Sequence, residues 1–240
     1  MLGVKAVINM KRSEINAALR EMEAFIAKCG FVLPPFCSFT PEDWWQKGHD
    51  YDEIRDNRLG WDITDYGLGD FGRIGFSLIT IRNGNFAMRD TYPKTYAEKL
   101  LYLREGQYAP MHFHFSKMED IINRGGGNVL IRVYHTTPDE DLDRIGAVRV
   151  RLDGRVLIVP AGTQLRLTPG ESITLAPYLY HDFSVEAGGG PVLLGEVSQC
   201  NDDYFDNRFY EPVGRFPTIE EDETPYRLLC NEYPPAGEER

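Results

Sequence analysis

The sequence predicts a mainly β protein, an antiparallel sandwich or closed barrel, preceded by a helical segment. From Ile74 onward, short β-rich runs alternate with turn residues, and Asn-Gly or Asp-Gly dipeptides separate several of them. Many strands at short intervals with such turns are typical of antiparallel sandwiches and barrels. The predicted strands are 74–82, 98–104, 128–135, 148–152, 156–160, 164–167, 172–175, 181–186 and 192–198.

The segment before these strands carries two helix starts. Ser13 is placed to cap a helix whose apolar residues recur at helical spacing until Gly30 and the pair Pro34-Pro35 stop it. Thr40 and Pro41 begin a second helix, because proline suits a first helical turn and the acids that follow favour the positive end of the helix dipole.

The chain is expected to form one domain. Its 240 residues, 42% of them hydrophobic and 26% charged, suffice for one well-buried core, and no repeat, linker or low-complexity tract divides them. We expect an extension at residues 1–9 and a single domain at 10–240. Within that domain we expect helices over about 10–60 and a β-barrel core over about 70–233.

Charge and hydropathy exclude several classes of partner. The net charge of −11 argues against nucleic acid or an anionic membrane, both of which require a basic surface, and disfavours a highly phosphorylated substrate. No apolar run is long enough to span a bilayer or to form a secretory signal. The expected location is therefore the cytoplasm, and the expected partner is a small molecule.

The segment from Gly106 to Glu119 carries the strongest functional signal. Side chains of an extended strand alternate between faces, so His112 and His114 point the same way, and a short connection returns Glu119 to them. Two imidazoles and a carboxylate that converge on one point form a divalent metal site. His181, far along the chain, is the candidate for a fourth ligand.

The spacing of this segment, Gly-x5-His-x-His-x4-Glu-x6-Gly, resembles the first motif of the cupin superfamily position for position. That resemblance implies the double-stranded β-helix, or jelly-roll barrel, as the fold. The second cupin motif is weaker, because Leu179 stands where a glycine is expected before His181 and Ser184 replaces an asparagine after it. An alternative alignment on 154–162 has no histidine, so His181 is preferred.

Such a ligand set suits Mn, Fe, Co, Ni or Zn, and bonding strength alone does not choose among them. An open metal position polarises a substrate oxygen and lowers the pKa of bound water. The motif is therefore compatible with three reactions: oxygen activation at iron, hydrolysis, and enolisation of a sugar carbonyl.

Longer segments resemble one family of cupins, the D-lyxose isomerases. These are Lys94-Thr-Tyr-Ala-Glu-Lys99, Asp120-Ile-Ile-Asn-Arg-Gly-Gly and the tail from Phe216 to Tyr233, and the likeness covers nearly the whole chain from about Met10. The resemblance implies a homodimeric, Mn-dependent aldose–ketose isomerase, with Co, Fe or Zn as other metals. It implies conversion of D-lyxose to D-xylulose and usually of D-mannose to D-fructose.

In that reaction the resemblance implies that His112, His114, Glu119 and His181 hold the metal, so Glu119 belongs to the catalytic set. A base must also move a proton between C1 and C2 of the open-chain sugar. Glu211 is the preferred base, because an acid between aromatic residues can be desolvated and its pKa raised. The other interpretation of Glu211 is a solvated loop residue.

Three further residues are candidates for substrate binding. Lys99 lies in the strand before the ligands, where an inward-facing charge could donate to a sugar oxygen or to the enediolate during catalysis. Lys117, two residues before Glu119, and Asp222, in the acidic run 220–223, are weaker candidates. An acidic run is more often a solvated surface.

Other classes stay open at this point. A cupin oxygenase would use the same ligands with iron, and a sugar-binding cupin without activity would be expected to lack some of them. A phosphosugar isomerase would need an Arg/Lys cradle, for which only Arg124 and Arg132 lie near the motif.

Overall fold

A computed structural model describes residues 9–202 and 205–237. Residues 1–8 of the expected extension lie outside the described residues. The helices are α1 (Arg12–Lys28), α2 (Pro41–Trp44) and α3 (Asp52–Asp56). The strands are β1 (Met10–Lys11), β2 (Gly60–Thr64), β3 (Phe76–Arg82), β4 (Tyr96–Leu103), β5 (Tyr108–His114), β6 (Glu119–Gly126), β7 (Val129–Thr136), β8 (Leu142–Asp143), β9 (Val148–Leu152), β10 (Arg155–Val159), β11 (Gln164–Leu167), β12 (Ser172–Leu175), β13 (Leu179–Val185), β14 (Val192–Gln199), β15 (Asn207–Phe209) and β16 (Ile219–Glu220).

Two antiparallel sheets face each other. The larger has eight strands in the order β10-β9-β12-β6-β14-β4-β3-β2, and the smaller has the order β11-β7-β13-β5-β15 with β8 attached to β7. Apolar side chains from both sheets fill the space between them. The predicted double-stranded β-helix with an N-terminal helical segment is confirmed.

The eight-stranded sheet is buried on both faces where α1 crosses it. Alternate residues of β3 and β4 serve the two sides: Leu78 and Leu101 join the core between the sheets, while Ile79 and Leu100 pack with α1. The helix contributes its apolar stripe, Ile15, Leu19, Met22 and Ile26, to this second core. The periodicity in the sequence therefore predicted the packing face of α1 correctly.

The start of α1 differs from the prediction. The helix begins at Arg12, and the carboxylate of Glu14 accepts a hydrogen bond of 2.9 Å from the backbone N–H of Lys11. The hydroxyl of Ser13 instead donates to Asp222 at 2.8 Å. A distant carboxylate thus takes the side chain that the sequence assigned to the cap.

Strand β2 was not anticipated from the sequence. It pairs with β3 at the edge of the eight-stranded sheet, and all five of its residues are buried. Trp61 and Ile63 pack with α1, while Thr64 faces the space between the sheets. Burial on both faces of a strand hides the usual alternation of exposed polar residues, so the sequence pattern of this strand is weak.

Among the described residues, no helix is long and apolar enough to cross a membrane.

Candidate metal centre and active site

The three histidines of the predicted site meet on neighbouring strands of the six-stranded sheet. His112 and His114 lie on β5 two residues apart, so they share a face. His181 on β13 pairs directly with His112. One ring nitrogen from each histidine lies within 4.8 Å of the others. Strand pairing thus brings together residues almost 70 positions apart.

Glu119 approaches the histidines from the opposite sheet, at the start of β6. Its Oε1 lies 3.3 Å from Nε2 of His114 and 3.2 Å from Nε2 of His181. Metal–ligand bonds of about 2.1 Å hold neighbouring donors roughly 3.0–3.4 Å apart at octahedral or tetrahedral angles. The observed separations are those of donors that share one ion.

The hydrogen bonds of the histidines set their tautomers. Nδ1 of His112 lies 2.8 Å from the carbonyl oxygen of Pro110, and Nδ1 of His181 lies 3.0 Å from that of Leu179. A carbonyl only accepts, so each Nδ1 carries the proton and each Nε2 presents a lone pair to the site.

These lone pairs need a cation. Nε2 of His181 is buried without a hydrogen-bond partner and faces the carboxylate of Glu119, and both ring nitrogens of His114 are also buried without a partner. Buried nitrogen lone pairs directed at a carboxylate oxygen repel it unless a positive ion lies between them. The donor set therefore fits a divalent metal.

The electrostatics keep the ligands in their metal-binding forms. Burial, with the other two histidines, holds the pKa of His112 well below its usual value, and burial lowers the pKa of His114 as well. For Glu119, burial would raise the pKa, but the charge of Lys117 and the contact with His114 outweigh burial and hold the pKa well below its usual value. Neutral imidazoles and an ionised carboxylate are what a metal binds.

Lys117, in the turn between β5 and β6, joins two buried carboxylates. Its Nζ lies 2.8 Å from Oε2 of Glu119 and 2.9 Å from Oε1 of Glu196. Burial lowers the pKa of Lys117, but the two carboxylates outweigh it, so the net pKa is raised. Nζ of Lys99 lies 3.8 Å from the same oxygen of Glu196. Two cations and two carboxylates thus form a continuous buried network beside the histidines.

This network lines one cavity between the sheets together with His112, His114 and Glu119. The cavity and its mouth together enclose about 560 Å³ of space, part of which is open to solvent. Its polar lining outside the ligands consists of Thr64, Lys99, Lys117, Glu196, Asn201, Asn207 and Arg215. Aromatic and aliphatic side chains, among them Tyr66, Phe183 and Leu101, form the remaining walls. Polar groups converging in an apolar pocket suit a small polyhydroxylated substrate.

The structure does not bring the other two predicted residues to this cavity. Glu211 is exposed and is not among the described residues that line it. Asp222 is also exposed, and its carboxylate accepts hydrogen bonds from the backbone N–H and the hydroxyl of Ser13 at 2.9 and 2.8 Å. Asp222 therefore attaches the C-terminal segment to α1.

Sequence reasoning missed Glu196. A signal for it existed, since the predicted strand 192–198 reads Val-Leu-Leu-Gly-Glu-Val-Ser, and an acid within such an apolar run needs a buried partner. The register supplies that partner, because Glu196 on β14 lies opposite Lys99 on β4. Arg215 was missed as well, because it lies in an irregular loop that no periodicity places.

Comparison with known proteins shows the family of this chain. The family model described as D-lyxose isomerase matches residues 10–233. A D-lyxose/D-mannose isomerase of Serratia proteamaculans is 48% identical over 225 residues, which are 93% of this chain and 98% of that protein. Its counterpart from Escherichia coli O157:H7 is 47% identical over 228 residues, with the same coverage.

Solved structures support the fold alone. An L-ribose isomerase of Cellulomonas parahominis in complex with L-ribose superposes with a TM-score of 0.59 at 16% identity, over 90% of this chain and 100% of that one. An L-ribose isomerase of Geodermatophilus obscurus gives the same TM-score, identity and coverage. With a family model that spans almost the whole chain and relatives that share nearly half its residues, the chain belongs to the D-lyxose isomerase family.

Proposed function

We propose that this chain is a metal-dependent aldose–ketose isomerase that converts D-lyxose to D-xylulose and D-mannose to D-fructose. The observation that carries the proposal is a His3Glu donor set beside a cavity that His112, His114 and Glu119 line together with a second buried carboxylate, Glu196. The names of the two curated relatives, which share nearly half the residues of this chain, support the choice of substrates.

His112, His114, His181 and Glu119 would hold the metal, and Mn²⁺ is the proposed ion, with Co²⁺, Fe²⁺ or Zn²⁺ as other occupants. A divalent metal bound there polarises the carbonyl oxygen of the sugar and so acidifies the neighbouring C–H bond. The remaining chemistry falls to the side chains of the cavity.

Isomerisation needs one carboxylate to carry a proton between two carbons. We assign this role to Glu196, because it lies in the cavity beside the donor set, whereas Glu211 is exposed. Its carboxylate removes the proton from C2 of the open-chain aldose, which gives an enediol, and returns that proton to C1. The hydroxyl proton on O2 moves to O1, so no atom is gained or lost and C2 becomes the carbonyl carbon.

Lys117 and Lys99 are the cations placed to stabilise the negative oxygen that develops in this step. Both ammonium groups are buried at the cavity, where charge interacts more strongly than in water. Lys117 also fixes the positions of the two carboxylates, because it contacts both of them. The likeness to the family further supports a homodimer that acts in the cytoplasm.

The test is ketose formation from D-lyxose and D-mannose by protein stripped with a chelator, with single metals added back. We expect Mn²⁺ to restore turnover best. If the protein binds one equivalent of each metal and forms no ketose from either sugar with any of them, the proposal is overturned. Oxygen consumption by the iron-loaded protein with an organic substrate would then favour an oxygenase.

A further inference from the structure

The turn between β5 and β6 places the ammonium group of Lys117 among three acceptors. Besides its contacts to Glu119 and Glu196, Nζ lies 3.3 Å from Oδ1 of Asn201. An ammonium group has three protons to donate, so each acceptor takes one of them. The side chain is buried, and water therefore does not replace a lost partner. A small movement of the turn would break at least one of these hydrogen bonds.

This turn is held in place from outside. Its four backbone N–H groups all donate to the end of β14 or to the chain beyond it. Phe115 donates to the backbone carbonyl of Asp206 at 3.2 Å. Ser116 and Lys117 donate to the two carboxylate oxygens of Asp206 at 2.7 and 3.0 Å. The fourth N–H donates to the side-chain oxygen of Gln199 at 3.1 Å. The position of the turn therefore depends on residues that follow it by about 80 positions.

Asp206 is the main anchor of the turn. Its Oδ1 also accepts the hydroxyl proton of Ser116 at 2.6 Å, so the residue takes part in four hydrogen bonds to the turn. Asp206 is 8% exposed, and it is not among the described residues that line the cavity. It lies where the chain leaves the eight-stranded sheet after β14 and joins the six-stranded sheet at β15. Its contacts therefore bear on the turn and not on the sugar.

We propose that Asp206 is a positioning residue for the isomerisation: by holding the turn, it sets the place of the Lys117 ammonium group between the two carboxylates. The proposal rests on the proposed function, in which this ammonium group stabilises the negative oxygen that develops on the sugar. A misplacement of about 1 Å in an active site can lower the rate by ~10²-fold. An anchor that never touches the sugar can therefore control turnover.

Only a carboxylate meets the side-chain donors of the turn. Two oxygens accept from the N–H and hydroxyl of Ser116 and from the N–H of Lys117. An asparagine offers one oxygen and one NH₂ group, which donates. In Asp206→Asn, one backbone N–H of the turn therefore faces another donor in either orientation of the amide. A buried N–H without an acceptor is costly, so the turn should move. Because the substitution keeps the size of the side chain, it tests the acceptors and not the packing.

A double-mutant cycle on ketose formation tests the proposal, with kcat expressed per bound metal ion. Asp206→Asn should lower kcat by about 10–100-fold and change KM by less than about threefold, because the ammonium group acts on charge that develops during the reaction. In a Lys117→Gln background, the same substitution should lower kcat by less than about threefold, since the group that it positions is already absent.

Asp153→Asn is the matched control. The carboxylate of Asp153 also accepts hydrogen bonds from the backbone N–H and the hydroxyl of one serine, Ser172, at 2.9 and 2.7 Å. Neither residue is among the described residues that line the cavity. This variant loses the same kind of contact and should keep the wild-type kcat.

Heteronuclear NMR of the lysine ammonium groups gives a second measurement, which does not depend on turnover. Ammonium protons exchange rapidly with water unless they are buried and hydrogen-bonded, so Lys117 should give a resolved signal. The chain is loaded with Zn²⁺, which is diamagnetic, and the signal is assigned through the carbons of the side chain. The signal should shift or disappear in Asp206→Asn and remain in Asp153→Asn.

Several results would overturn the proposal. Equal losses of kcat from Asp206→Asn in both backgrounds mean that Asp206 acts independently of Lys117, as a residue that only stabilises the fold would. A kcat at the control value, or an ammonium signal that Asp206→Asn leaves unchanged, means that the turn stays in place without this carboxylate. If the wild-type chain forms no ketose, the proposed function fails, and the ammonium signal still decides whether Asp206 positions Lys117. The same signal decides if Lys117→Gln does not fold.

Discussion

Glu196, the base that we propose, is held by contacts to one of its carboxylate oxygens. Oε1 accepts a hydrogen bond from Lys117 at 2.9 Å, and the hydroxyl of Ser198 lies 3.1 Å from the same oxygen. These contacts, with Nζ of Lys99 at 3.8 Å, hold that oxygen in place. Glu211, the base preferred from sequence, stands between the aromatic residue Tyr210 and Pro212 but remains exposed. Its aromatic neighbour does not desolvate it.

Removing the negative charge of each glutamate separates the two candidates. Glu196→Gln should lower kcat by about 10²–10⁴-fold, the usual contribution of a positioned general base, while the protein still binds one metal ion. Glu211→Gln is the matched control and should retain wild-type kcat. Ketose formation and metal content are measured on the same samples. If Glu211→Gln lowers kcat and Glu196→Gln leaves it unchanged, Glu211 is the general base instead.

At the scale of elements, the C-terminal segment is attached to α1 by charged side chains. Arg12 is buried and forms ion pairs with Glu221 at 2.6 Å and with Glu232 at 2.5 Å. Asp222 accepts two hydrogen bonds from Ser13 at the first turn of α1, where the helix dipole also favours a negative charge. The acidic run 220–223, for which a solvated surface was the more common interpretation, therefore holds the C-terminal segment against α1.

This attachment should weaken in acid. The hydrogen bonds from Ser13 lower the pKa of Asp222, and the hydrogen bond from Arg12 lowers the pKa of Glu221. Both groups therefore have a lower pKa in the folded chain than in the unfolded chain. The stability they contribute is present above the ordinary values of 3.8 and 4.5 and is lost as the pH falls through the lowered values.

Amide hydrogen exchange at Ser13 and along 219–226 would show this loss as the pH falls below 4.5, after correction for the intrinsic exchange rate. The chelator-stripped protein is used, so that metal release does not contribute. Asp222→Asn removes one of the titrating charges and should flatten the pH dependence. If the variant shows the same pH dependence as the wild-type chain, the contact between Asp222 and Ser13 does not control the attachment.

The elements themselves were predictable to the extent that each shows one clear periodicity. The alternation of 148–152 and 172–175 and the 3.6-residue pattern of α1 each predicted an observed element. Strand β2 escaped because both its faces are buried. The metal ligands of β5 were predictable from local spacing, but Glu196 becomes significant only through its register with Lys99, and register is a property of the folded sheet.

At the scale of the whole molecule, the donor set bridges the two sheets. His112, His114 and His181 belong to the six-stranded sheet, and Glu119 belongs to the eight-stranded sheet. A bound metal would therefore connect the two layers of the sandwich. It would also relieve the repulsion between the buried Nε2 lone pairs and the carboxylate, so the folded chain should bind metal far more tightly than the unfolded chain does.

Metal binding should consequently raise the melting temperature. At a free metal concentration of about 100 times Kd, the stabilisation is about 2.7 kcal/mol, which corresponds to roughly 5–10 °C in a chain of this size. His181→Ala and Glu119→Gln should each lose this increase, although they alter opposite sheets. His49→Ala, at an exposed histidine outside the site, should keep it. Differential scanning calorimetry with and without Mn²⁺ measures the increase. If Glu119→Gln keeps the full increase, the metal is held by the six-stranded sheet alone and does not connect the two layers.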